Sequence, residues 1–362
     1  MVKVLVVNTV TYRRNGITGV IFNLYKQIDR SKIQMDFVAT DHDTEPWAKD
    51  YIAENGSKLF QFDKSYSHIW DYIVKLAKCA KGYDVVHVHG NSSSMAFEML
   101  AAKFAGVDKR IAHSHNTTCS SPKLDKMLRP FFYTLCNCRL ACGEAAGKWL
   151  FGNRDFLVIN NGIDTEAYRF RNESRVKERE KLGLSDEFVI GHVGRLNEQK
   201  NQSYLLEIIS KLKDKNSRIK LILIGDGALE QQLTEKATEL GISNEVVFVG
   251  AVNNVNELIN AVDVIVMPSL YEGLPLTLVE EQANGLTCIV SDVITKEADL
   301  SGNLQFVSLS RSPDEWAALI SKENYDKSRA KMSADSIQLI RKNGYDIGES
   351  VGILTRVYEM GK

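Results

Sequence analysis

The chain has 362 residues, 44% of them apolar and 25% charged, a length and balance that suit two packed domains. Its formal net charge of -1 offers no general basic face, so no nucleic-acid partner is expected. No run of about 18 apolar residues occurs, so no transmembrane helix is expected, and the short apolar start "MVKVLVVNTV" is read as the first strand of a cytoplasmic protein rather than as an export signal.

Short β-branched runs alternate with longer amphipathic ones. In the first half, strands are expected near "KVLVVNTV", "QMDFVAT", "DVVHVHG", "KRIAHSH", "CRLACG" and "FLVIN". "DHDTEP" holds Asp41 and Asp43 in an Asp-x-Asp spacing, but it follows a first-half strand and is read as a surface loop, not a metal site. "SPKLDKMLRPFFYTLCNCR" mixes Lys123, Lys126, Arg129 and Arg139 with Leu124, Met127, Leu128, Phe131 and Phe132. It fits both an ordinary helix with a solvated basic face and a membrane-contacting one, and Pro130 is expected to kink or end it. Of six cysteines, Cys136, Cys138 and Cys142 cluster, with Cys119, His113 and His115 upstream. They lack paired Cys-x-x-Cys knuckles, so buried thiols are expected rather than zinc. Alternation puts His87 and His89 on one strand face, where core roles are expected, and His113 and His115 on another.

The polar stretch "NNGIDTEAYRFRNESRVKEREKLGL" marks a break. Domains are expected over 1–165 and 166–345, with a helix over 346–362 that packs on either one. Second-half strands are expected near "EFVIGHVG", "IKLILIG", "EVVFVGAV", "VDVIVMPS", "TCIVSD" and "LQFVSLS". "SYLLEIISKLKDK" and "ALEQQLTEKATELG" have helical periodicity between them. The pattern predicts two α/β, doubly wound parallel sheets, with the crevice between domains as the ligand site.

Three second-half turns carry chemistry. In "HVGRLNEQKN", Gly194 ends a strand and Arg195 and Lys200 follow it. Cations past the carboxyl end of such a strand suit an anionic ligand, though a solvated surface pair has the same signature. In "LIGDGALEQQL", Gly225 and Gly227 allow a tight turn and close approach of a flat ligand. The third glycine of a dinucleotide fingerprint is absent, which disfavours hydride transfer. "YEGLPLTLVEEQANG" places Pro275 at the first helical position and ends at Gly285. The backbone N–H groups near Leu276 and Thr277 then suit phosphate. Glu272 and Glu280, seven residues apart, suit sugar hydroxyls; Glu280 and Glu281 equally fit an exposed helix pair.

Together "VGRLNEQKN", "LIGDG", "VVFVGAV", "VDVIVMPS" and "YEGLPLTLVEEQANG" resemble the retaining glycosyltransferases of family 4, the group 1 enzymes with the GT-B fold of two Rossmann-like domains facing a central cleft. The last run matches the family's E-x7-E motif, with Glu281 where the family commonly has a small residue. "GITGVIFNL", with Gly16, resembles the family's glycine-rich loop, although Thr18 loosens its glycine pairing. "DVVHVHG", "AHSHNT", "LACGEAAGKWLFG" and "VINNGID" match linking segments. The overall pattern is most similar to enzymes of bacterial capsule or exopolysaccharide synthesis.

The resemblance implies a sugar transferase using a nucleotide-diphosphate sugar, by default a UDP-sugar, as substrate, with no cofactor and no metal. It implies a saccharide or lipid-linked saccharide acceptor, with peripheral contact at the inner membrane face through 122–139. Arg195 and Lys200 would hold the diphosphate, Glu280 the ribose and Glu272 the donor sugar, helped by Gly16, Gly194, Gly225, Gly273, Leu274, Leu276 and Thr277. His115 would hydrogen-bond the sugar from the first domain. A catalytically silent accessory subunit and a nucleotide-sugar epimerase of the same fold are the alternatives.

Overall fold

The computed structural model describes residues 1–13, 15–215, 218–322 and 328–360. The chain forms two compact units, one of Met1–Gly162 joined by the chain from Ile347, the other of Ile163–Asp346.

The first unit contains β1 (Val2–Asn8), β2 (Ile33–Ala39), β3 (Leu59–Gln61), β4 (Val85–Gly90), β5 (Lys109–Ser114), β6 (Cys138–Ala141) and β7 (Leu157–Val158). They form a parallel sheet in the order β3-β2-β1-β4-β5-β6-β7. The order reverses between β1 and β4, the switch point at which such sheets open toward a ligand. The short β3 has no counterpart among the expected strands. Its three half-buried residues sit at the sheet edge, where little apolar signal is needed.

The second unit contains β8 (Phe188–Val193), β9 (Ile219–Ile224), β10 (Val246–Gly250), β11 (Val264–Met267), β12 (Thr287–Ser291) and β13 (Leu304–Val307). Their order is β10-β9-β8-β11-β12-β13, again parallel, with its switch point between β8 and β11. One core holds Ile190, Leu221, Leu223 and Val266 with Leu205, Leu206 and Ile209 of the helix Gln202–Lys213. The other holds Val189, Ile222, Ile265 and Met267. Neighbouring residues on each strand thus enter opposite cores, which explains why these strands read as unbroken apolar runs.

Two local expectations need correction. Of the two outcomes expected at Pro130, a kink or an end, the end does not occur: the helix Pro122–Leu135 continues through it. Phe132 and Leu135, buried beyond the proline, anchor the last turn, and this packing outweighs the lost backbone hydrogen bond. Pro275 is the extended residue before the helix Leu276–Ala283, not its first turn. The final helix, Ile347–Glu359, belongs to the first unit, where Tyr358 is buried and its hydroxyl lies 2.7 Å from His87 Nδ1. Among the described residues no helix is long and apolar enough to cross a membrane.

Candidate active site

At the carboxyl ends of the second unit's strands, the turns after β8 and β9 lie backbone against backbone. Gly194 N–H donates to Ile224 O at 2.9 Å, and Leu196 N–H donates to Asp226 O at 2.8 Å. A Cβ on Gly225 would meet Gly194 O at 2.1 Å, and one on Gly227 would meet Leu196 O at 2.2 Å. Gly225 also has φ of 139°, a conformation that L side chains rarely adopt. These glycines therefore let one turn seat the other. A Cβ at Gly194 would press on Lys200 Cε at 2.9 Å.

The segment after Arg195 is stitched to the loop after β11. Leu270 N–H donates to Gln199 O at 2.8 Å, Gln199 Nε2 donates to Tyr271 O at 2.9 Å, and Asn201 Nδ2 donates to Pro268 O at 3.0 Å. Asn201 takes a left-handed conformation, φ 56°, which asparagine tolerates. Asn197 accepts the Lys200 N–H at 3.1 Å and closes the short turn Glu198–Lys200. This frame brings Lys200 Nζ to 2.7 Å from Glu272 Oε1, with both side chains largely buried. Gln199 Nε2 donates to the other Glu272 oxygen at 3.2 Å. Arg195 extends into solvent from the same turn.

The helix Leu276–Ala283 starts directly after this loop; Leu278 N–H donates to Pro275 O at 3.1 Å, and the Leu276 and Thr277 N–H groups before it follow Glu272 closely in sequence. Gly273 is exposed, Leu274, Leu276 and Thr277 are half-buried, and the Thr277 hydroxyl has no hydrogen-bond partner. Glu280 is half-buried, and burial raises its carboxyl to about 7, opposed by the Tyr168 hydroxyl that donates to it. Glu281 is 1% exposed, with neither carboxyl oxygen hydrogen-bonded. Burial, then the Glu280 charge, pushes it well above the usual carboxylate range, while Lys200 acts in the opposite sense. The reading of Glu280 and Glu281 as an exposed pair is thereby corrected. The helix is packed on most of its circumference, with Val279 and Ala283 against Ile163, Ile337 and Ile340.

In the first unit, Gly16 opens the helix Gly16–Gln27, where Asn15 accepts the Thr18 N–H at 3.0 Å. A Cβ on Gly16 would meet nothing, so the close packing seen at Gly225 has no equivalent there. His115 follows β5 and is half-buried; burial lowers it to about 3 and keeps the ring neutral. Its Nε2 lies 2.8 Å from His89 Nδ1, and its Nδ1 has no partner. His87, His89 and His113 are fully buried, so depth separates His115 from its neighbour His113.

The second unit therefore assembles Gly194, Arg195, Lys200, Gly225, Glu272 and the first turn of the following helix at the carboxyl ends of its strands, with Glu280 about one turn on. Gly16 and His115 belong to the first unit. Sequence reasoning missed Gln199 and Asn201, whose amides join the two loops, and Tyr168, which holds Glu280. No spacing signal marks amides of this kind. Cys136 is buried and Cys138 and Cys142 are half-buried, all free thiols. The triad of potential metal ligands among the described residues is instead His87, His89 and His113.

Comparison with known proteins accords with this arrangement. Residues 174–338 match the family model of glycosyl transferases group 1, and residues 14–167 match that of Glycosyltransferase Family 4. EpsF of Bacillus subtilis, named as a glycosyltransferase, is 32% identical over 364 residues, covering 96% of this chain and 94% of its own. A UDP-Gal:alpha-D-GlcNAc-diphosphoundecaprenol alpha-1,3-galactosyltransferase of Escherichia coli is 32% identical over 237 residues, covering 61% of this chain and 60% of its own. The crystal structure of HepE from Anabaena in complex with UDP superposes with a TM-score of 0.77 at 19% identity, over 98% of each chain.

Proposed function

Because this chain belongs to the group 1 glycosyltransferases of family 4, with their GT-B fold, we propose that it moves a hexose from a UDP-sugar to a lipid-linked saccharide with retention of anomeric configuration. The single observation that carries this reading is the Lys200–Glu272 pair, held between adjacent strand ends beside a helix N-terminus. In this proposal the diphosphate takes Lys200, Arg195 and the first-turn N–H groups. Lys200 then leaves Glu272 for phosphate, and Glu272 accepts from the donor sugar's hydroxyls. Glu280, steadied by Tyr168, accepts from the ribose diol.

The acceptor hydroxyl attacks the anomeric carbon from the face that the diphosphate leaves. The carbon–oxygen bond to phosphate breaks, and the leaving phosphate oxygen takes the hydroxyl proton. Arg195 and Lys200 stabilise the negative charge that grows on the diphosphate, the task a metal performs in other transferases. The donor site in this reading needs no divalent ion.

The E. coli relative acts on a diphosphoundecaprenol-linked sugar by name, and CapH of Staphylococcus aureus, 26% identical and named as a capsular polysaccharide biosynthesis glycosyltransferase, supports a place in exopolysaccharide or capsule assembly. A lipid acceptor requires a membrane-facing surface. The helix Pro122–Leu135 supplies one, with Met127 and Phe131 each more than 60% exposed beside exposed Lys123 and Lys126. We place the protein at the cytoplasmic membrane face. The test is incubation with UDP-sugars and an undecaprenyl-diphosphate saccharide. An α-linked product from an α-linked donor supports the reading, and a β-linked product rejects retention.

A further inference from the structure

The four histidines of the first unit form a block in which only some ring nitrogens are satisfied. Parallel pairing of β4 with β5 sets His89 opposite His113 and His87 opposite Ile111, so the rings of both strands stack on one sheet face. Ring centroids are 4.1 Å apart for His87 and His89, and 4.3 Å for His113 and His115. His87 Nε2 lies 3.2 Å from His113 Nδ1. His113 Nε2 is buried with no hydrogen-bond partner.

One ring nitrogen from each of His87, His89 and His113 lies within 4.8 Å of the other two. A tetrahedral zinc ion with Zn–N of about 2.0–2.1 Å needs its ligand nitrogens about 3.3 Å apart. The His87–His113 separation of 3.2 Å already matches that edge. Outer partners orient two of the rings. The Tyr358 hydroxyl meets His87 Nδ1 at 2.7 Å, leaving His87 Nε2 to face His113, and His115 Nε2 meets His89 Nδ1 at 2.8 Å, leaving His89 Nε2 as its remaining donor atom. Metal-bound histidines are held in this manner by hydrogen bonds to the opposite nitrogen.

We propose that His87, His89 and His113 form a three-histidine site for a borderline divalent transition ion, zinc being the natural occupant. An all-imidazole set suits zinc, cobalt, nickel or copper and excludes magnesium and calcium, which require oxygen ligands. With His113 as the Nδ1–H tautomer, that proton moves to the unpartnered His113 Nε2 and the ion takes its place between His87 and His113, so no proton has to leave the cluster. A fourth position stays open for water. The ion ties β4 and β5 together beneath the final helix and takes no part in balancing the donor diphosphate, which is assigned to Arg195 and Lys200.

The test uses the full chain, stripped with chelator and titrated with Co2+ as a spectroscopic probe and then with Zn2+. The site predicts one Co2+ per chain, a tetrahedral visible band without a thiolate charge-transfer band, and a rise in Tm of roughly 5 °C at saturating Zn2+. His87→Gln and His113→Asn should each weaken Co2+ binding at least about tenfold. His42→Gln and His68→Gln, at exposed histidines, should leave it unchanged. If a cluster variant does not fold, the unaltered protein still decides, through stoichiometry and spectrum. Absence of binding, retention of binding in folded His87→Gln, or a thiolate band pointing to Cys136, Cys138 or Cys142 would each overturn the proposal.

Discussion

Lys200 Nζ lies 2.7 Å from Glu272 Oε1, although the two residues come from loops after different strands and are 72 positions apart in sequence. Adjacent strands β8 and β11 bring the loops together, and Gln199 and Asn201 lock them. The pair is shielded enough that losing one partner strands the other charge. Lys200→Ala is therefore expected to slow transfer by about 100-fold or more and to lower Tm. Glu272→Gln removes a charge but keeps an oxygen acceptor. It should leave UDP affinity nearly unchanged while cutting kcat about tenfold or more, since Glu272 is assigned to the sugar. Isothermal titration with UDP alongside steady-state kinetics checks both, and unchanged turnover in Glu272→Gln would remove that assignment.

Seating of the β9 turn on the β8 turn gives a sharp structural prediction. Gly225→Ala and Gly227→Ala each drive a methyl into a backbone carbonyl that cannot rotate away. Each should cost about 1–3 kcal/mol in urea unfolding and weaken UDP binding by displacing Arg195. Gly16→Ala, where a methyl meets nothing, should leave stability within about 0.5 kcal/mol.

Glu280 predicts a pH dependence of donor binding. Its carboxyl is raised to about 7, and only the carboxylate accepts from two ribose hydroxyls. UDP affinity should therefore increase as pH rises through 7, by roughly tenfold between pH 6 and pH 8 for a single group. Glu280→Gln should flatten this profile as well as weaken binding. A flat profile in the unaltered protein would show that Glu280 does not hold the nucleotide as an anion.

The buried acids and the buried imidazoles act on stability in opposite directions. An acid with a raised folded-state value contributes most below its ordinary range, so the contributions of Glu280 and Glu281 fall as pH rises above about 4.5. The histidines are lowered, with His115 at about 3 and His192 at about 4, so the fold loses stability as pH drops below about 6.5. Glu281→Gln keeps the shape and removes the ionisable group. It should stabilise the protein at pH 8 by about 1–3 kcal/mol and change little at pH 4.5. Chemical denaturation at the two pH values measures the difference.

Most of the architecture was readable because parallel strands buried on both faces are continuous apolar runs, as in "IKLILIG", and glycines mark the turns after them. β3 was not readable, because an edge strand of three half-buried residues leaves no run. The site motifs stood out where chemistry restricts residue type, at Gly225, Arg195, Lys200 and the two spaced glutamates. Burial of Glu281 did not, since adjacent glutamates on a short helix look like a solvated face. The histidine block was half legible. Alternation paired His87 with His89 and His113 with His115, but only the β4–β5 register put the pairs in contact.

The central claim is that the second unit's loops bind a nucleoside diphosphate sugar through Arg195, Lys200, Glu272 and Glu280 without a metal. The most direct measurement is thermal stabilisation by a panel of nucleoside diphosphates and their sugars in excess chelator, each read against the chelated protein alone. A selective rise with UDP, larger with one UDP-sugar and lost in Lys200→Ala, is the predicted result. A rise that appears only when divalent ion is restored, or none with any nucleotide, would contradict it.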